Sequence, residues 1–136
     1  MTSVELERLV DIGALKREPP TAGEVEGLIR SGCARLGDAH RSELSIESRF
    51  DLAYNAAHAL ALGALRRLGY RSTNRYLVFQ VLPHTLGLPA GVWRVLAKAH
   101  ERRNLSEYGG AFDIDQRLLD DLLEACEKVA KACSRL

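Results

Sequence analysis

The sequence predicts an all-α protein: an up-down antiparallel bundle of four core helices, with an extra N-terminal helix and a short helix between two core ones. Three observations carry that expectation. Apolar residues recur at three- and four-residue spacing along most of the 136 positions, the mark of helices with one buried face. No stretch alternates apolar with polar residues, and valine, isoleucine and threonine are sparse, so strands lack their material. Prolines, glycines and capping residues fall between the periodic segments, and short loops leave consecutive helices antiparallel.

The first element is a short peripheral helix over 4–15, with Val4, Leu6, Leu9, Val10, Ile12 and Leu15 as its apolar positions. Residues 16–21 (Lys-Arg-Glu-Pro-Pro-Thr) break it, because proline cannot donate and restricts the residue before it. Residues 1–20 are therefore a helix and linker, and 21–136 form the core of a single domain. Thr21-Ala-Gly-Glu24 has the form of a capping box, opening a helix to about His40 on a face of Val25, Leu28, Ile29, Ala34 and Leu36. Gly27, Gly32 and Gly37 each weaken that helix by about 1 kcal/mol relative to alanine.

Ser45 and Glu47 start a long helix over 46–68, with Phe50, Ala53, Tyr54, Ala57, Leu60, Ala61, Ala64, Leu65 and Leu68 on its buried face. Its many alanines allow neighbours to approach closely, which makes it the expected central helix. Gly69 ends it in a left-handed turn, and Arg66 and Arg67 suit the negative end of its dipole. A shorter helix over 74–86 carries Tyr76, Leu77, Phe79, Val81 and Leu82 and is kinked by Pro83. Pro89 sits at the first position of the next helix, 90–103, which buries Val92, Trp93, Leu96 and Ala97, with His100 at the edge of that face. Asp113-Ile-Asp-Gln116 reads as a second capping box for a last helix with the seam Leu119, Leu122, Cys126, Val129, Cys133 and Leu136. So narrow a seam packs on one partner, within the fold or in a second subunit.

Composition restricts function. Hydrophobic residues make up 46 % and charged residues 27 %, ordinary globular usage that excludes a disordered chain. A net charge of +1 gives no bulk attraction to polyanions, so any such site must be a local cluster. Cys33, Cys126 and Cys133 fit neither a disulfide framework nor a metal spacing, and the last two read as small core residues. No apolar run approaches the ~20 residues of a membrane span. The N-terminus has no signal-peptide core, which leads to the expectation of a reduced, cytoplasmic protein.

Familiar chemistry is missing. The glycines form no phosphate loop, and His40, His58, His84 and His100 share no metal-binding spacing with one another or with acids. There is no Gly-x-Ser-x-Gly elbow and no Glu-x-x-His pair, so neither a metal nor a cofactor is expected. His58 reads as a hydrogen-bonded histidine in or beside the core, and Trp93 as core, with an interaction surface as its alternative.

One stretch gathers reactive side chains. His100, Arg102, Arg103, Asn104, Glu107 and Tyr108 lie within nine residues. On a helix, His100 and Arg103 share a face at i, i+3, Arg103 and Glu107 at i, i+4, and Asn104 and Tyr108 likewise. Guanidinium forks bind phosphate oxygens bidentately, so such a cluster is either a local anion site or a solvated helix end.

Arg103-Asn104-x-x-x-Tyr108, followed by Gly109, resembles the Arg-Asn-x-x-x-(His or Tyr) signature of the HEPN superfamily. The segment 49–62, with Tyr54 among alanines, is similar to the second core helix of that family, and Leu68-Gly69-Tyr70-Arg71 to the turn after it. The acidic start and Leu/Ala/Cys seam of 113–136 resemble the family's last helix, so the similarity spans roughly 22–136.

The resemblance implies a HEPN-like bundle and a homodimer whose two motifs line one cleft. Catalytic members are metal-independent ribonucleases with an Arg-x(4–6)-His motif. In them the arginine holds the scissile phosphate and the histidine moves a proton during 2′-hydroxyl attack. Arg103 matches that arginine, Asn104 the polar residue beside it, and Tyr108 stands where the histidine would be. A phenol with an ordinary pKa near ~10 is a poor base at neutral pH. The implied function is therefore a non-catalytic or weakly catalytic module that binds RNA, a nucleotide or a partner protein through Arg102, Arg103, Asn104, Glu107 and His100. His100, one turn before Arg103, is the substitute base if one acts. Two alternatives stand beside it: an endoribonuclease toxin with a cognate antitoxin or nucleotidyltransferase, and a structural bundle without a ligand site.

Overall fold

The computed structural model describes residues 3–109 and 114–136, and of residues 106–109 the backbone alone. It is an all-α bundle. The elements are α1 (Val4–Asp11), β1 (Lys16–Arg17), α2 (Glu24–Ala39), α3 (Ile46–Arg67), β2 (Tyr70–Arg71), α4 (Arg75–Gln80), α5 (Leu82–Thr85), α6 (Ala90–Gly109) and α7 (Gln116–Cys133). Among the described residues no helix is long and apolar enough to cross a membrane.

α3 is the central helix, as its alanines predict. Phe50, Ala53, Tyr54, Ala56, Ala57, Leu60, Ala61 and Leu65 have 0 % exposure, so it is covered on several sides. α2 runs antiparallel to it: Glu24 meets Arg66, Gly32 meets Leu60, and the carbonyl of Ala39 accepts from Arg49 Nε at 2.8 Å. A Cβ on Gly32 would lie 2.6 Å from Leu60 Cγ and 3.1 Å from the carbonyl oxygen of Ala56. Gly32 thus lowers helix propensity but lets the two helices close on each other.

α6 also runs antiparallel to α3, with Tyr54 against His100 and Asp51 near Arg103. α7 closes the bundle against α2, α3 and α6. Its seam (Leu119, Leu122, Cys126, Val129, Cys133) is buried within the chain, although Leu136 is exposed. Burial pushes the thiols up, Cys126 to about 12 and Cys133 to about 11, which suits inert core residues. Cys33 is exposed.

Several boundaries differ from the sequence reading, each for a local reason. The 74–86 segment is two helices broken at Val81, because Pro83 cannot donate to the turn before it. α6 extends beyond residue 103 to Gly109, and Pro89 precedes it, its carbonyl accepting from the Val92 amide at 3.0 Å. α2 opens at Glu24 rather than Thr21, after Gly23 in the left-handed region. The Glu24 carboxylate does accept the Thr21 amide at 3.0 Å, but the Thr21 hydroxyl meets that carboxylate instead of an amide. Ala34 is exposed, its expected place on the core taken by Gly32 and Ala39. Asp115 caps α7 through the Leu118 amide at 2.7 Å, while Asp113 lies outside the described residues.

The largest departure is the linker, which is latched to the core. Lys16–Arg17 pairs antiparallel with Tyr70–Arg71, a two-residue ladder where no strand is expected. Behind it lies Arg66, 1 % exposed, which is a buried latch rather than a surface partner for the helix dipole. Its Nε and Nη2 donate to the Glu24 carboxylate at 2.8 and 3.1 Å. Its remaining hydrogens reach the carbonyls of Glu18 (2.9 Å), Tyr70 (3.1 Å) and Pro19 (3.1 Å), so all five donors are used. The guanidinium, with the Thr21 amide, holds the Glu24 carboxyl down to about 2. Tyr70 Oη donates to Glu7 at 2.7 Å, and Glu7 also pairs with Arg17, fastening α1 to the same corner.

Candidate functional site

The site forms where α3, α4 and α6 meet, around Tyr54. On α3, Asp51, Tyr54, Asn55 and His58 fall at i, i+3, i+4 and i+7, one polar stripe on an otherwise alanine-rich helix. On α6, His100, Arg103 and Asn104 share the facing stripe. Asn74 caps α4 through the Leu77 amide at 3.1 Å and so fixes Arg75, the next residue, beside α3.

Tyr54 is fully buried and organises the cluster. Its hydroxyl lies 2.7 Å from His100 Nδ1, and the other ring nitrogen of His100 lies 3.2 Å from Asn104 Nδ2. Two guanidiniums flank the Tyr54 ring, Arg103 with Cζ 5.0 Å from its centroid and Arg75 at 5.8 Å. Arg75 Nη1 reaches Asn55 Oδ1 at 3.5 Å, and Asn55 Nδ2 in turn donates to the Asp51 carbonyl at 2.8 Å. The exposed Asp51 carboxylate lies 3.9 Å from Arg103 Nε.

The two histidines respond to this field. Burial first, then the charges of Arg75, His100 and Arg103, hold His58 down to about 4. Burial, Arg103 and Arg75 likewise lower His100, against a smaller opposing pull from Glu101. Both imidazoles are therefore neutral at pH 7, and the positive charge of the cluster sits on the arginines. Such an arrangement presents guanidinium donors to an anion. His100, engaged at both ring nitrogens, holds Tyr54 and Asn104 in place and must release one contact to take a proton.

The structure thus joins His100 and Arg103 as their spacing predicts, and adds Asn104 through His100. It separates Arg102, which lines a groove between α6 and α7 with Lys98, Asp115, Arg117 and Asp121. The side chains of Glu107 and Tyr108 lie outside the described residues. His58 is half-buried at 6.1 Å edge-on to Phe79 and forms no hydrogen bond among the described residues, contrary to its expected pairing. Trp93 is half-buried, packed against the edge of the core 6.2 Å from the ring of Tyr76. Sequence reasoning missed Tyr54, Asp51, Asn55 and Arg75. The α3 stripe was visible as a spacing; Arg75 carried no local signal, because it arrives from a separate helix. Compared with protein-family models, with curated proteins and with solved structures, the chain matches none.

Proposed function

We propose that the chain is a HEPN-like module that binds the phosphates of RNA or a nucleotide through Arg103 and Arg75, as a pair of identical copies. The observation that carries this reading is the convergence of two guanidiniums on one buried tyrosine, beside imidazoles that remain uncharged. In a chain of net charge +1, that is a local concentration of positive charge. Asn104 braces His100, and His100 braces Tyr54, the ring that Arg103 lies over. Leu105, 66 % exposed one residue beyond Asn104, offers an apolar contact for a second copy at the end of α6.

A second reading is favoured by one feature, the neutral imidazole of His100 one helical turn from Arg103. It makes the chain a metal-independent endoribonuclease, with His100 or Tyr108 moving the proton and Arg103 holding the phosphate. As a toxin it would be held in check by an antitoxin or a nucleotidyltransferase. Incubation with mixed RNAs in EDTA separates the two readings. Binding without cleavage supports the module, and cleavage lost in Arg103→Ala supports the enzyme. Absence of both RNA and nucleotide binding, unchanged in Arg75→Ala/Arg103→Ala, leaves a structural bundle.

A further inference from the structure

We infer that the half-buried rings of His100, Tyr76 and Trp93, continuing outward from Tyr54, form an aromatic strip for the bases of a single-stranded nucleic acid. This rests on the phosphate-binding reading of Arg75 and Arg103 and adds what lies between the phosphates. Successive ring centroids are 6.1 Å (Tyr54–His100, stacked with planes 25° apart), 6.1 Å (Tyr76–His100, edge to face at 66°) and 6.2 Å (Tyr76–Trp93, edge to face at 75°) apart. Tyr54 is buried, whereas His100, Tyr76 and Trp93 are each half-buried and reach the surface.

Cations stand at both ends of the strip. Arg75 and Arg103 flank Tyr54, and Arg94 Cζ lies 5.9 Å from the centroid of Trp93. Trp93 and His100 are two turns apart on α6, about 10 Å along the axis. A lone nucleotide would occupy only one end of such a strip, and a strand would occupy both. Aromatic rings with guanidiniums at both ends suit unpaired bases, whose π-faces are open and whose phosphates flank them. In a duplex those faces are covered. An acidic peptide would use the arginines and leave the rings idle.

Trp93 is the only tryptophan in the chain and reports directly on its own occupancy. Short single-stranded RNA and DNA oligomers, an abasic oligomer of equal length and inorganic tripolyphosphate are titrated, reading Trp93 emission and the anisotropy of labelled strands. Base-carrying strands are expected to quench Trp93 and to bind about tenfold tighter than the abasic strand. Trp93→Leu and Tyr76→Leu should reduce them to the abasic affinity, Trp93→Phe and Tyr76→Phe should retain the difference, and tripolyphosphate should bind all variants alike. Equal affinity for abasic and base-carrying strands, with unchanged emission, overturns the strip and leaves phosphate binding at Arg103 standing. Failure of every probe to bind overturns both. The wild-type comparison needs no variant, so a Leu variant that fails to fold leaves the decision intact.

Discussion

Arg66 and Arg103 carry the same side chain on neighbouring helices of one bundle, and their surroundings give them opposite tasks. Arg66 is sealed: five donors meet a carboxylate and three backbone carbonyls, and nothing is left to offer a ligand. Arg103 lies over the Tyr54 ring, 27 % exposed, with the exposed Asp51 carboxylate 3.9 Å from its Nε. A guanidinium saturated by the chain that surrounds it is a structural device. One that lies over a ring and is partly exposed stands where a partner in solution can reach it.

The contrast is broken most sharply by mutating the latch. Arg66→Met should destabilise the fold by about 3 kcal/mol or more, measured by urea unfolding, because Glu24 and three carbonyls lose their donors together. Arg103→Met should cost about 1 kcal/mol on the same assay, the scale of an exposed pair and a ring contact. If the two losses are equal, Arg103 is as structural as Arg66.

Acid titration separates the two regions by pH. His58 is lowered to about 4 in the folded chain, so the unfolded chain takes up its proton first, and stability falls as pH drops from about 6.5 to 4. That contribution is about 3 kcal/mol and should vanish in His58→Gln. Glu24 is lowered to about 2, so its contribution is complete above the ordinary carboxylate range and is lost as pH falls from about 4.5 to 2. Glu24→Gln should remove the second acid phase and spare the first.

A smaller effect tests the packing that brings α2 and the latch onto α3. Gly32→Ala ought to stabilise by up to about 1 kcal/mol on helix propensity alone. The 2.6 Å approach to Leu60 reverses the sign, and a net loss of about 1–2 kcal/mol is expected in thermal unfolding.

The same contrast explains what could be read from the sequence. Periodicity, the Ser45 cap, the Gly69 turn and the alanines of α3 act within a few residues, so the bundle was legible. His100 and Arg103 were legible as one face for the same reason. Arg66 was not, because the carboxylate that buries it is 42 positions away and the linker carbonyls it binds have no sequence signature. Arg75 was hidden likewise, meeting Asn55 across 20 positions. Tyr54 and His58 were visible but read as core, since a polar stripe on an alanine-rich helix means little until another helix sets arginines against it.

Salt-dependent binding tests the central claim most directly. Affinity for a short single-stranded RNA, measured across a range of salt concentrations, should fall linearly on logarithmic axes for the native chain. Arg75→Gln and Arg103→Gln should each weaken binding and each reduce that slope by about 1, whereas Arg67→Gln, on the exposed end of α3, should leave it unchanged. A slope identical in all four proteins would contradict the assignment of Arg75 and Arg103 as the phosphate-binding pair.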